Sequence, residues 1–151
     1  MSDTTDAAAA DALARRAAAV MYERDTAARH LGIAVEDVGP GRAVLAMTID
    51  ETMLNGHDVC HGGYLFTLAD TAFAYACNSQ NEAALAQGAS IDFLRPGRAG
   101  ELLTATAVQQ QQGRRTGLYD VSVTNAAGQC LALFRGRAFR VGGSVTRENN
   151  E

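Results

Sequence analysis

The chain has 151 residues, 47% of them hydrophobic and 20% charged, with a formal net charge of −4; that fits one globular domain able to build a core without disulfide staples. A net acidic chain is a poor general nucleic-acid binder, and no apolar run approaches the ~20 residues that a membrane helix needs. The opening MSDTTDAAAADALARR has no basic segment ahead of an apolar one, so it does not read as a secretory signal and the chain reads as cytoplasmic, with neither nucleic acid nor membrane as a partner.

Residues 7–31 are rich in alanine with arginine at intervals, which predicts a helix ended by Gly32. The residues before it and those after Val145 read as frayed ends. Ile33, Val35 and Val38 suggest a first strand, Gly39-Pro40-Gly41 a turn, and Val44–Ile49 a second strand apolar on both faces. Residues 52–60 lack periodicity and contain Asn55-Gly56, so they read as a loop. From His61 to Gln80, Leu65, Leu68, Ala69, Ala72, Phe73 and Ala76 recur at helical spacing, while Phe66, Ala74 and Cys77 make the opposite side apolar or small as well. A helix greasy nearly all round is a buried helix. Four strands follow, at 89–94, 102–109, 118–124 and 130–141, with breaks at Pro96-Gly97, Gly113 and Asn125–Gly128. Residues 81–88 are given no element. An antiparallel sheet wrapped around one central helix, an α+β fold, buries such a helix economically. The boundaries expected are a helical extension at 1–30, the domain at 31–146 and a flexible tail at 147–151.

Asp70 is the anomaly in this pattern, because it lies in the middle of the apolar helix within LADTAFA. An unpaired carboxylate in such a setting is costly and its pKa should rise, which is the environment of a catalytic carboxylate; the alternative is an ion pair with an arginine across a subunit interface. His61-Gly62-Gly63 opens the same helix, where first-turn N–H groups are unbonded and carry partial positive charge. Two glycines let a carbonyl come close to those groups, as an oxyanion hole requires, although a glycine-rich helix entry can equally serve tight packing. Gly63 and Asp70 are seven residues apart, on a similar side of the helix and about 10 Å apart. One copy's Asp70 is thus too far from its own glycines, and an antiparallel pairing of two copies across a twofold would bring the two features together.

Other signals are weaker. Cys60, Cys77 and Cys130 form no CxxC pair and read as reduced core thiols; a Cys–His pair using Cys60 or Cys77 is conceivable, but nothing marks either thiol as activated. His30 sits where a cation favours a helix end, and His57 is a loop residue. All 13 basic residues are arginine, and eight of them between Arg95 and Arg147 face only Glu101 and Asp120. Such a local excess suggests a phosphate-bearing ligand, or simply a solvated strand surface. No Walker loop, GxSxG, HExxH or dinucleotide fingerprint is present, and no metal is expected.

The string Asn55-Gly56, CHGGYLFTLADTAFAYACNSQ, IDFLRPGRAGELLTATA and LFRGRAFRVGGSVT resembles the hotdog thioesterases of the phenylacetate-degradation (PaaI-type) group over roughly residues 21–146. The resemblance implies a hotdog fold assembled as dimers and usually tetramers, through the central helix. It implies hydrolysis of acyl-CoA thioesters, with phenylacetyl-CoA and its hydroxylated relatives favoured, and no cofactor. It further implies Asp70 as nucleophile or base, the Gly62 amide polarising the thioester carbonyl with help from His61, Asn55 near the reacting group and Thr71 beside Asp70. Gly63 and Phe66 are expected at the substrate, with Tyr64, Met53 and Leu54 as further pocket candidates. Arg95, Arg114, Arg115 and Arg137 are candidates for the CoA phosphates, which need guanidinium partners. The rival readings are a non-catalytic acyl-CoA-binding protein and a hotdog hydratase or dehydratase; the latter commonly uses a histidine and an acid at a proline-flanked helix entry, and no proline lies near His61.

Overall fold

A computed structural model describes residues 2–146. The N-terminal region is helical, as its alanine content dictates, but it is two helices rather than one: α1 (Ser2–Arg24) and α2 (Thr26–His30). The break is at Asp25, whose side chain accepts from the Ala28 N–H at 3.1 Å and so caps α2. The expected frayed start is helical from Ser2. Gly32, at φ +70°, lets the chain leave α2. The tail at 147–151 lies outside the described residues.

The strands are β1 (Ala34–Gly39), β2 (Arg42–Thr48), β3 (Glu82–Phe93), β4 (Leu102–Gln112), β5 (Thr116–Thr124) and β6 (Cys130–Ser144), with α3 (Gly62–Cys77) between β2 and β3. They form one antiparallel sheet in the order β1-β2-β4-β5-β6-β3, and α3 packs on its inner face against β2 through β6. The hotdog arrangement that the resemblance implies is therefore present. Alternation explains the sheet: along β5, Gly117, Tyr119, Val121 and Val123 are buried and their neighbours are not. The core closes on aromatic pairs, with Phe73 set 5.7 Å from both Tyr119 and Phe134, and Phe66 5.3 Å from Phe134.

Two findings shape the site. First, β3 begins seven residues earlier than the sequence suggests, because pairing with β6 runs from Glu82↔Ser144 to Phe93↔Ala132 and overrides the helix-forming EAALAQG. Asn78 fixes its start: after ending α3 with a bond to Ala74 O, it exchanges side-chain bonds with the Ala84 backbone. β3 is an edge strand, and most of its residues are exposed on both faces. Second, the sheet does not enclose α3 completely. Gly63, Phe66, Thr67, Asp70 and Ala74 stay partly or fully exposed, at spacings of three and four, so they form one uncovered stripe along the helix.

Candidate active site

The entrance to α3 is held by backbone bonds from three directions. The His61 N–H donates to Met53 O at 2.9 Å, the Cys60 N–H to Gly97 O at 2.8 Å, and Leu54 pairs with Cys60 as an isolated bridge. Asn55 organises the intervening loop: its Oδ1 accepts from the His57 and Val59 N–H groups at 2.9 and 3.3 Å, and its own N–H donates to Val59 O. The side-chain NH2 of Asn55 donates to nothing among the described residues. Gly97 fits because a Cβ there would fall 2.6 Å from Ile49 Cδ1.

His61 occupies the N-cap position with no capping side-chain bond, and its side chain is exposed. The Tyr64 N–H turns back to His61 O at 3.0 Å, but the Gly62 and Gly63 N–H groups have no acceptor among the described residues. Two free donors therefore stand at the positive end of a 16-residue helix. They open beside a cavity of about 370 Å³ lined by Val59, Leu65, Phe93, Leu94, Arg95 and Pro96, among others. Phe93 forms one wall: a Cβ on Gly62 would meet its ring at 2.6 Å. In the sequence Phe93 is legible only as part of the strand at 89–94 and of the IDFLRP string; its place over Gly62 depends on a strand register that the residue types do not announce.

Asp70 sits two turns along on the uncovered stripe and has neither a hydrogen bond nor an ion pair among the described residues. Burial pushes its pKa above the usual carboxylate value, and the charge of Asp25 pushes in the same direction. From Gly62 to Asp70 is eight residues, about 12 Å along the axis, so one chain does not bring the carboxylate to its own free N–H groups. Thr71, buried on the neighbouring face, donates its hydroxyl to Thr67 O at 2.6 Å. Phe66 is half-buried against Phe134, Tyr64 is half-buried at the helix start, and Met53 is buried in the core beside half-buried Leu54. The thiols of Cys60 and Cys77 are pushed up to about 11 and about 12 respectively, mainly by burial, so neither is a ready thiolate. His30 and His57 are exposed and far from a nucleophile's setting.

The candidate arginines are not gathered in one place. Arg95 lines the cavity at Gly62, whereas Arg114 and Arg115 join Arg140 around a second cavity of about 530 Å³ beside Glu82 and Gly142-Gly143. Arg137 lies along Gly88 on the exposed sheet surface, its Nη2 2.5 Å from where a Cβ would stand. Arg140, not singled out from the sequence, bonds Gln80 and Glu82 and leaves a buried Nε without a partner.

An antiparallel sheet packed around one central helix is the hotdog layout, and the profile of the thioesterase superfamily matches residues 57–132. The chain belongs to that superfamily. It is 56% identical over 128 residues to the acyl-coenzyme A thioesterase PaaI of Escherichia coli (strain K12), covering 85% of this chain and 91% of that protein. The solved structure of the E. coli PaaI protein from the phenylacetic acid degradation operon superimposes with a TM-score of 0.88 at 53% identity, covering 89% of this chain and 97% of that one. A Streptococcus mutans UA159 protein solved with acetyl CoA bound has a TM-score of 0.72 at 28% identity, covering 74% and 90%.

Proposed function

We propose that this chain hydrolyses acyl-CoA thioesters at a site shared by two copies of itself, with Asp70 of one copy acting on a carbonyl held by the Gly62 and Gly63 amides of the other. The observation that carries the reading is the unpartnered, partly desolvated Asp70 on the one open stripe of α3, seven residues from free amide donors on the same stripe. A twofold passing near Phe66 and Thr67 sets Gly63 opposite Asp70. The exposed edge of β3 offers the matching contact, since an edge strand is a template for a second strand. Pairs of such dimers associate through the outer sheet face, where Val108 and Leu133 are exposed.

The roles follow from the chemistry. The free N–H groups stabilise negative charge growing on the carbonyl oxygen, with His61 beside them. Asp70 takes a proton from the attacking water, or attacks the carbonyl itself to give a mixed anhydride that water then opens. In either route the C–S bond breaks and CoA leaves as the thiol once protonated. The unbonded NH2 of Asn55, in the loop that leads into α3, serves as a donor for water or the carbonyl oxygen. An antiparallel β3–β3 pairing sets the Glu82 end of one strand beside the Phe93 end of the other. It thus moves Arg114, Arg115 and Arg140 of one copy toward the Gly62 cavity of its mate, where the CoA phosphates extend. Similarity to PaaI and the apolar lining at Leu65, Phe93 and Leu94 favour arylacetyl groups such as phenylacetyl and its hydroxylated forms. Three unpaired cysteines suit a reducing cytoplasm.

Release of thiol from phenylacetyl-CoA, followed with a thiol reagent, tests the reading. Turnover by the wild type is expected, with a loss of about 100-fold or more in Asp70→Asn. Full turnover by Asp70→Asn would remove the mechanism. Single turnover in oxygen-18 water separates the routes, because label enters Asp70 only through the anhydride.

A further inference from the structure

Phe66, Phe73, Tyr119 and Phe134 pack ring against ring in the core. Phe93 stands outside that cluster and forms no ring pair among the described residues. It pairs with buried Ala132 across the ladder, and residues opposite one another in an antiparallel pair share a face, so its ring turns to the α3 side. There it lies on the Gly62 backbone, where a Cβ would stand 2.6 to 3.1 Å from three of its ring carbons. Yet 53% of the residue is exposed, so the ring gives up much of the burial it could gain in the core.

The cavity that Phe93 lines is the one at the free Gly62 N–H, and its size fits a ring. It holds about 370 Å³, with Leu65, Leu94 and Pro96 as further apolar wall. Buried Gly97 closes one side, packed so tightly on Ile49 that a Cβ there would meet it at 2.6 Å. An apolar cavity of about 150 Å³ is enough for benzene, so an aryl ring with its methylene carbon is accommodated beside Phe93.

We infer that Phe93 is the residue that selects the acyl group: its ring packs on an aryl ring carried next to the thioester carbonyl, and so sets that carbonyl on the Gly62 and Gly63 amides. The inference rests on the proposed site and deepens it by naming the side chain that reads the substrate. Aromatic rings attract one another beyond the area they bury, in offset and edge-on arrangements. Phe93 therefore separates a planar aryl ring from a saturated ring of similar size, whereas Leu65 and Leu94 recognise both by burial alone.

The test uses a matched pair of ligands, the phenethyl and the cyclohexylethyl thioethers of CoA, which have no thioester to hydrolyse. Their dissociation constants are measured for the wild type, for Phe93→Leu, which keeps apolar bulk without a ring, and for Phe93→Tyr, which keeps the ring. The wild type is expected to prefer the phenethyl ligand. In Phe93→Leu the ratio of the two constants should shift about fivefold against it, equivalent to about 1 kcal/mol, while Phe93→Tyr keeps the wild-type ratio. The ratio of kcat/KM for phenylacetyl-CoA over cyclohexylacetyl-CoA should move in parallel. A wall that only packs would weaken both ligands alike, so an unmoved ratio in Phe93→Leu would overturn the inference, as would a Phe93→Tyr protein that loses the preference. Because the thioethers report binding alone, full turnover by Asp70→Asn would remove the proposed mechanism without touching this ratio.

Discussion

Gly62→Ala separates the chemistry of the helix entrance from its packing. A Cβ on residue 62 stands 2.6, 3.0 and 3.1 Å from three atoms of the Phe93 ring, where carbon contacts are comfortable at about 3.5–4.0 Å. The ring tip must therefore retreat by about 1 Å. Phe93 is 53% exposed in the single chain, so it has open space to move into. An off-rotamer ring costs about 0.5–1.5 kcal/mol, and alanine returns part of that through its better helix propensity. Net stability should change by no more than about 1 kcal/mol. The function should suffer far more, because the methyl group crowds the approach to the two free N–H groups. Loss of one oxyanion donor costs about 10²–10³ in kcat, so a partial displacement is expected to cost about 10- to 100-fold. Gly136→Ala is the structural counterpart: its Cβ would meet the Phe73 ring at 2.8–2.9 Å, and that ring is 1% exposed with nowhere to go. It should lose about 1–3 kcal/mol with little change in rate per folded molecule. The assay pairs kcat/KM on phenylacetyl-CoA with thermal melting. A Gly62→Ala enzyme within twofold of wild-type turnover would refute the role of the free amides.

Two other outcomes follow from charge. Replacing Arg114 and Arg115 together by alanine should raise KM for an acyl-CoA by about fivefold or more, and leave the same acyl group on a short N-acetylcysteamine thioester unaffected, since only CoA carries phosphates; equal effects on both substrates would dissociate these arginines from CoA. Asp70→Asn should melt above the wild type at pH 7. The raised pKa of Asp70 means that its contribution to stability is fully present below the unfolded carboxyl pKa of about 3.9 and is lost as pH rises through the folded value. The melting-point gap should thus close on acidification, and a wild type more stable than Asp70→Asn at pH 7 would contradict the burial of an unpaired charge.

Much of this was legible in the residues. Stretches that alternate or run apolar at 102–109 and 118–124 mark the strands, and the apolar residues recurring at helical spacing from Leu65 to Ala76 mark the central helix, because burial there leaves few polar choices. HGG and Asp70 were legible for the opposite reason: each breaks its local rule. What escaped was set by long-range pairing. EAALAQG at 82–88 has residues that suit a helix, and only the length of β6 makes it a strand. The break at Asp25 was hidden by the helix propensity of the alanine-rich run 7–31, which reads as one helix; its bond to Tyr75 was hidden too, because nothing local relates residues 50 apart. Likewise the Phe93 wall over Gly62 depends on where β3 ends against α3, and the scatter of the arginines over two cavities depends on the order of strands in the sheet.

The most direct measurement mixes two dead proteins. Asp70→Ala and Gly62→Val chains, each inactive as a homodimer, are unfolded together, refolded at equal concentration and assayed for thiol release. If a carboxylate from one copy serves the amides of another, every mixed dimer holds one intact site and one doubly damaged site. About a quarter of wild-type activity should then return, given random pairing into twofold dimers. If each chain instead carried its own complete site, both sites of the mixed dimer would be damaged, and a mixture no more active than its two parents would contradict the account.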